Sequence, residues 1–473
     1  MSIFRRRDIH EKIKGLAIGT VALLAMTVPM LCPDAAQAKG PRIIPLGPPA
    51  TQNGFEPSPP DESQPVDASS RTLGCGTATN IGQANMAPLY VDGNPCLSEI
   101  FMTNTVAYTN IKICPPGSQA NCQVIDHVIV DTGSVGLRIG YSVLKNNPNL
   151  LAGMQNVSTG GAQILTNCQG FFDGSSLYGP VQTADVYIAD TFAPNFPLQI
   201  FGQIDPGSNV CGSPEGIKQF GANGIVGVRI SPLGAEGSFY SCNTDGKSSC
   251  TGCTFDGSKC TTENTTYNPI PNLVSQLKND NNGFTIDLHN IQDSGATVPV
   301  LGLLILGVGT QADNTPPEGI IPLQAPGAYI NLTIGNNTAS GAIIDSGTSV
   351  LFINDPDLPP CPVNSFFYCP ITTKSKNPTP TTPISLGLSS NTATTPAFDV
   401  TYKVGNADAL FFNGIALAYN DLAASADGLS PTLGLPMFFG RTMYFVLDGQ
   451  QSPLGTGPIN AIWPQEPVTA AAQ

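Results

Sequence analysis

The chain has 473 residues, of which 34 are acidic and 20 basic, giving a formal net charge of −14. That balance argues against nucleic acid or an anionic membrane as a partner. Three His in the whole chain are too few for a multi-His metal centre, and 50 Gly with 43 Pro at only 11% charged residues point to many strands and turns.

Residues 1–38 read as a signal peptide. Arg5, Arg6, Arg7, Lys12 and Lys14 form a basic start, Gly15 to Leu31 is apolar, and Ala36-Gln37-Ala38 is a small-x-small cleavage pattern. A retained membrane anchor is the alternative. Cys32 follows Leu31 rather than a small residue, which argues against a lipid attachment site. Without residues 1–38, 15 basic and 31 acidic residues remain, a formal charge of −16 compatible with work at low pH. The expectation is an exported protein, periplasmic, cell-surface or extracellular, that has no membrane contact once the signal is removed and is a monomer. Residues 39–74, rich in Pro, Ser, Asp and Gln, read as a disordered linker.

From Cys75 onward, alternating strand patterns begin. Thr105 to Cys114 and Cys122 to Val130 read as two strands joined by PPGSQAN, and a Cys114–Cys122 bridge would clamp them. Short strands are expected at Val186 to Ala189, Leu198 to Phe201 and Ile225 to Val228. Cys242, Cys250, Cys253 and Cys260 crowd one loop. Two disulfides are expected there, with a zinc knuckle as the alternative. Ile270 to Lys278 (IPNLVSQLK) is the best short helix, with Pro271 suited to its first turn. Strands follow at 284–289, 298–308 and 328–333, and Cys361 with Cys369 spans another short loop. The expected division is an N-terminal lobe at 75–285, a C-terminal lobe at 286–466 and a flexible tail at 467–473.

The most informative feature is a repeat. HVIVDTGSVGLRI carries Asp131, and GAIIDSGTSVLFI carries Asp345. Each Asp follows a β-branched apolar run and precedes hydroxyl, Gly and hydroxyl residues. Two apolar-apolar-Gly landmarks follow at near-equal intervals. Ile225-Val226-Gly227 ends 96 residues after Asp131, and Phe438-Phe439-Gly440 ends 95 residues after Asp345. In such a landmark the Gly lets one backbone cross close to another.

These residues resemble the pepsin-like aspartic proteases over most of 100–450. The resemblance implies an all-β, bilobal fold with pseudo-twofold related lobes and a few short helices. It also implies that Asp131 and Asp345 are a catalytic pair activating a water against a peptide bond, with no metal or other cofactor and with a polypeptide as substrate. Thr132 and Ser346 would then hydrogen-bond across the two loops. Gly133 and Gly347 would bring backbone N–H groups near the carboxylates, and Ser134 and Thr348 would bond their outer oxygens. The bland alternative is that these Ser and Thr only form turns.

The flap hairpin of the family resembles Phe172 to Val186, so Phe172, Asp173 and Gly174 are candidate substrate-binding residues. Two departures fall there. The usual flap Tyr is Phe172, and Arg138 stands where the family has Trp. Arg138 either pairs with Asp173, replacing the lost polar link, or faces solvent; alternatively the alignment slips and Tyr178 is the residue nearer the cleft. An exported endopeptidase is the leading reading. A silent relative that binds a protein or glycan in its cleft is the alternative, and a structural envelope protein is a third.

Overall fold

The computed structural model describes residues 80–464 apart from 94–104, 172–174, 205–210, 212–220, 232–236, 247, 257–258, 262–267, 371–380, 394–396 and 413–415. The expected signal peptide, the linker, the tail and the candidates Phe172, Asp173 and Gly174 lie outside the described residues. All described residues belong to one compact unit, Gln37–Gln473. No helix among them is long and apolar enough to cross a membrane.

Strands form because the apolar residues alternate or run together between Gly and Pro breaks. The centre of the molecule is an antiparallel sheet ordered Met86–Val91, Val300–Leu306, Gly283–Leu288, Arg441–Val446, Ile459–Pro464 and Pro322–Gln324. It takes strands from both ends of the chain. Phe284 and Phe445 stack beneath it with ring centroids 4.8 Å apart, and both are buried. Burying each ring contributes on the order of 2–3 kcal/mol. Gly283 is required, since a Cβ there would lie 2.2 Å from the Phe445 carbonyl oxygen. The expected division between residues 285 and 286 falls inside the strand Gly283–Leu288.

Each half of the chain crosses its own Asp loop. In the first half, Gly224–Val228 lies parallel to Gln123–Asp131, with Gly227 opposite Asp131, and antiparallel to Val135–Gly140, with Gly227 opposite Gly136. In the second half, Thr432–Leu433 lies parallel to Asn337–Ile344, and Thr432 stands opposite Phe352 of Leu351–Ile353. A seven-stranded sheet completes that half. The fold is therefore all-β, bilobal and pepsin-like in setting two crossed acid loops around a common sheet, with only short helices such as Pro148–Gly153 and Ala407–Phe412.

The second landmark differs from the sequence reading. The Gly that crosses the Asp345 loop is Gly434, not Gly440. A Cβ on Gly434 would lie 2.2 Å from Val350 O and 2.6 Å from Thr348 O, just as one on Gly227 would lie 2.7 Å from Ser134 O. After Gly434 the chain turns into a short 3-10 segment at Leu435–Met437, with Pro436 at its start. Phe438 and Phe439 are core residues beyond it, and Gly440 (φ +70°) packs against Asn290. Thr432-Leu433-Gly434 is not an apolar-apolar-Gly run, so the pattern and the equal spacing both pointed to Gly440 instead.

The helix expected at 270–278 shrinks to the 3-10 turn Val274–Gln276. Leu277 is extended, and Lys278 N–H donates to Phe192 O at 3.1 Å. A bond to a neighbouring strand has displaced the bond that would continue the helix.

Disulfides join Cys114–Cys122 and Cys361–Cys369 as expected, and also Cys242–Cys250 and Cys168–Cys211. Cys253 is disulfide-bonded too. Zinc ligation by the Cys242 loop is thereby overturned, because its thiols are oxidised.

Candidate active site

Asp131 ends the strand Gln123–Asp131, and Asp345 directly follows Asn337–Ile344. Both side chains are buried, Asp131 completely. The two tight loops meet. A Cβ on Gly133 would lie 2.7 Å from the Asp345 carboxyl carbon, so only Gly lets the first loop approach the second acid.

Each loop holds its acid in the same way. Gly133 N–H donates to Asp131 Oδ1 at 2.8 Å, and Gly347 N–H to Asp345 Oδ1 at 2.9 Å. Ser134 Oγ donates to Asp131 Oδ2, and Thr348 Oγ1 to Asp345 Oδ2 at 2.7 Å. Beneath the acids the loops exchange four bonds. Thr132 Oγ1 donates to Ile344 O at 2.8 Å and accepts from Ser346 N–H at 2.9 Å. Ser346 Oγ donates to Val130 O at 2.6 Å and accepts from Thr132 N–H at 3.2 Å. Each hydroxyl uses its single proton on a partner carbonyl and its lone pair on a partner N–H. A turn-forming role alone would not produce these reciprocal bonds between loops 214 residues apart.

Burial is the largest cause holding the Asp131 carboxyl well above the ordinary carboxylate range. The charge of Asp345 and a hydrogen bond to its carboxyl push the same way, while the donors Ser134 and Gly133 oppose them. Two buried carboxyls that share a hydrogen bond hold a proton between them, because removing it would leave two adjacent negative charges. The paired carboxyls of aspartic proteases are the standard example of such coupling. Chemically, this arrangement offers one proton donor and one proton acceptor side by side.

Residues 82–462 match the profile of the family described as protein of unknown function DUF3443. The chain belongs to this family. No curated protein matches the DUF3443 chain. Among solved structures it is similar to the aspartic proteinase from Irpex lacteus at 13% identity and a TM-score of 0.42, covering 82% of this chain and 99% of that one.

Arg138 does not face solvent in this DUF3443 member; it is fully buried. Its Nη1 donates to Val135 O at 2.8 Å and to Gly136 O at 3.4 Å, and its Nη2 donates to Gln169 Oε1 at 2.6 Å. The expected partner Asp173 lies outside the described residues. Tyr178 is also buried. Its hydroxyl donates to Gly246 O at 2.6 Å and stands 3.0 Å from Thr166 Oγ1, so it is committed to the loop closed by Cys242–Cys250.

Sequence reasoning missed Gln169 and Gln199, both fully buried. Gln199 Nε2 donates to Asn167 O at 2.6 Å and Leu177 O at 3.3 Å. The available signal was a Gln inside an otherwise apolar strand, QIF at 199–201. Cys361, Cys369 and Asp408 come together elsewhere, but the two sulfurs are bonded to each other and Asp408 accepts from Val363 N–H, so the group does not suit a metal.

Proposed function

We propose that the protein is an exported aspartic-type endopeptidase, acting as a monomer on flexible polypeptide chains. A water held between Asp131 and Asp345 is the nucleophile. The ionised member of the pair takes a proton from that water as it attacks the peptide carbonyl, and the protonated member donates to the carbonyl oxygen. Ser134, Thr348, Gly133 and Gly347 orient the two carboxyls, and Thr132 with Ser346 holds the loops in register from below. No metal or cofactor takes part. The observation that carries this reading is the reciprocal bonding that brings two buried acids from matched halves into hydrogen-bond contact. Disulfides among the described residues support export, since they persist in oxidising compartments.

Because the pair works with one proton, activity is expected on the acid side and lost as rising pH removes that proton. The test is cleavage of denatured protein substrates from pH 2 to 7 by residues 39–473. Asp131→Asn and Asp345→Asn should each lower kcat by about 10³-fold or more. Activity surviving both substitutions would remove the pair from the mechanism. A folded protein silent at every pH would favour the second reading, a binding protein without catalysis. The buried Arg138, where pepsin-like aspartic proteases have Trp, is the observation behind that reading.

A further inference from the structure

We propose that Arg138 is a positioning residue that sets the hairpin of Gln163–Gly170 and Ser176–Ile188 against the first acid loop through Gln169. This deepens the hydrolase reading and rests on it where activity is concerned, because Ser176–Ile188 carries most of the stretch, Phe172 to Val186, that resembles the flap of pepsin-like aspartic proteases.

A fully buried guanidinium is costly to desolvate unless its donors are matched. Here the two terminal nitrogens find acceptors on two elements. Nη1 bonds the carbonyls of Val135 and Gly136, which immediately follow Ser134, the residue that donates to Asp131. Nη2 bonds Gln169 Oε1 on the hairpin. The orientation of Gln169 is fixed in turn, because its Nε2 donates to Gly170 O at 2.9 Å. Gln199 stands beside Arg138 in the parallel register and donates to Asn167 O and Leu177 O on both hairpin strands. Cys168, next to Gln169, is tied to Cys211. The hairpin therefore rests on a buried polar layer, and within that layer Arg138 is the member that also grips the acid loop.

The second half of the chain shows that packing alone does not call for a charge at this position. Phe352 follows Asp345 by the same seven residues and stands opposite Thr432, as Arg138 stands opposite Ile225. Phe352 is buried in an apolar aromatic cluster. A side chain of similar size suffices there, so what the guanidinium adds in the first half is reach and direction toward Gln169.

The experiment compares Arg138→Met, Arg138→Lys, Gln169→Leu and Gln169→Glu in the full mature chain. Arg138→Met and Gln169→Leu should each raise KM about tenfold, the loss expected for one charge-assisted hydrogen bond, with kcat changed less than about threefold. Arg138→Lys, which keeps the charge but loses the fork, should fall between wild type and Arg138→Met. The double variant should be no worse than either single one. Gln169→Glu should raise KM clearly less than Gln169→Leu, because a carboxylate still accepts from Nη2 although it cannot donate to Gly170 O. Amide hydrogen exchange of the hairpin strands, measured in an Asp131→Asn background, gives an activity-independent arm. Arg138→Met and Gln169→Leu should both speed exchange there, and Gln169→Glu clearly less. If wild type cleaves nothing, the hydrolase reading fails while the exchange arm still decides the positioning role. Unchanged exchange with unchanged KM in Gln169→Leu overturns the proposal, as does equal damage from Gln169→Leu and Gln169→Glu. If Arg138→Met does not fold, the Gln169 pair carries the test.

Discussion

The two halves of the molecule agree at the acids and differ one strand later. Both acid loops use the same Gly donor, the same hydroxyl donor and the same crossed hydroxyl bonds. Seven residues on, the first half buries Arg138 among carbonyl and amide oxygens. The second buries Phe352 beside Phe366, which leads through Phe367 and Phe411 to Tyr419 by ring contacts at 5.6, 5.3, 5.2 and 6.2 Å. Duplicated halves thus keep the chemistry of the proton pair fixed and let the supporting layer diverge. Such a layer needs only to be filled, and polar side chains or aromatic packing can each do that.

The sharpest way to break this comparison is to move the charge to the wrong half. Phe352→Arg places a guanidinium in an apolar cluster and should cost about 3–5 kcal/mol, read as a lower urea midpoint or loss of soluble folded protein. A tolerated Phe352→Arg would mean that the second half has hidden acceptors and that the two layers are interchangeable.

Next in size are two ionisable groups, one per half, that act in the same direction for different reasons. In the second half Asp421 is pushed up to about 6, first by burial and then by the nearby Asp293 charge, against the Ser294 N–H and Lys403. In the first half His127 is pushed up to about 9. Burial alone would lower it, but the carboxylates of Asp126 and Asp92, at 3.4 and 3.0 Å, override that. Both folded-state values lie above the ordinary values of 3.8 and 6.5, so the folded state holds the extra proton. Stability from Asp421 falls as pH rises from about 4 to 6, and stability from His127 falls from about 6.5 to 9, each by about 3 kcal/mol at most. Asp421→Asn should remove the lower step, making the variant more stable than wild type at pH 7 in urea unfolding. His127→Gln should be destabilising at pH 6 and nearly neutral at pH 10. If Asp421→Asn leaves the pH 4–7 stability slope unchanged, this account of Asp421 fails.

The smallest effect tests the agreement itself. Thr132→Val and Ser346→Ala each strand a carbonyl and an N–H in the same buried place. Both should cost about 2 kcal/mol in denaturant unfolding, and the two losses should match within about 1 kcal/mol. A large imbalance would show that one half carries the junction.

The parts legible in the sequence were local and repeated. DTGS and DSGT each compress an acid, its Gly donor and its hydroxyl donor into four residues, and Cys114–Cys122 and Cys361–Cys369 each close a short loop. What escaped depended on distant residues. Cys168 and Cys211 bond across 43 residues with no marker in the sequence. Gln169 gains its role only once the hairpin folds beside Arg138. LVSQLK has a helical pattern, but Lys278 finds Phe192 on a neighbouring strand. Gly434 follows Thr432 and Leu433 and so lacks the apolar-apolar pattern, and only the crossing strand reveals its place.

The central sheet imposes an order of assembly. Arg441–Val446 has Gly283–Leu288 on one side and Ile459–Pro464 on the other, and Met86–Val91 lies just beyond Val300–Leu306. This sheet therefore stays incomplete until Ile459–Pro464 has been synthesised. Contacts this distant in sequence make for slow folding, and the earlier strands keep an unpaired edge throughout synthesis.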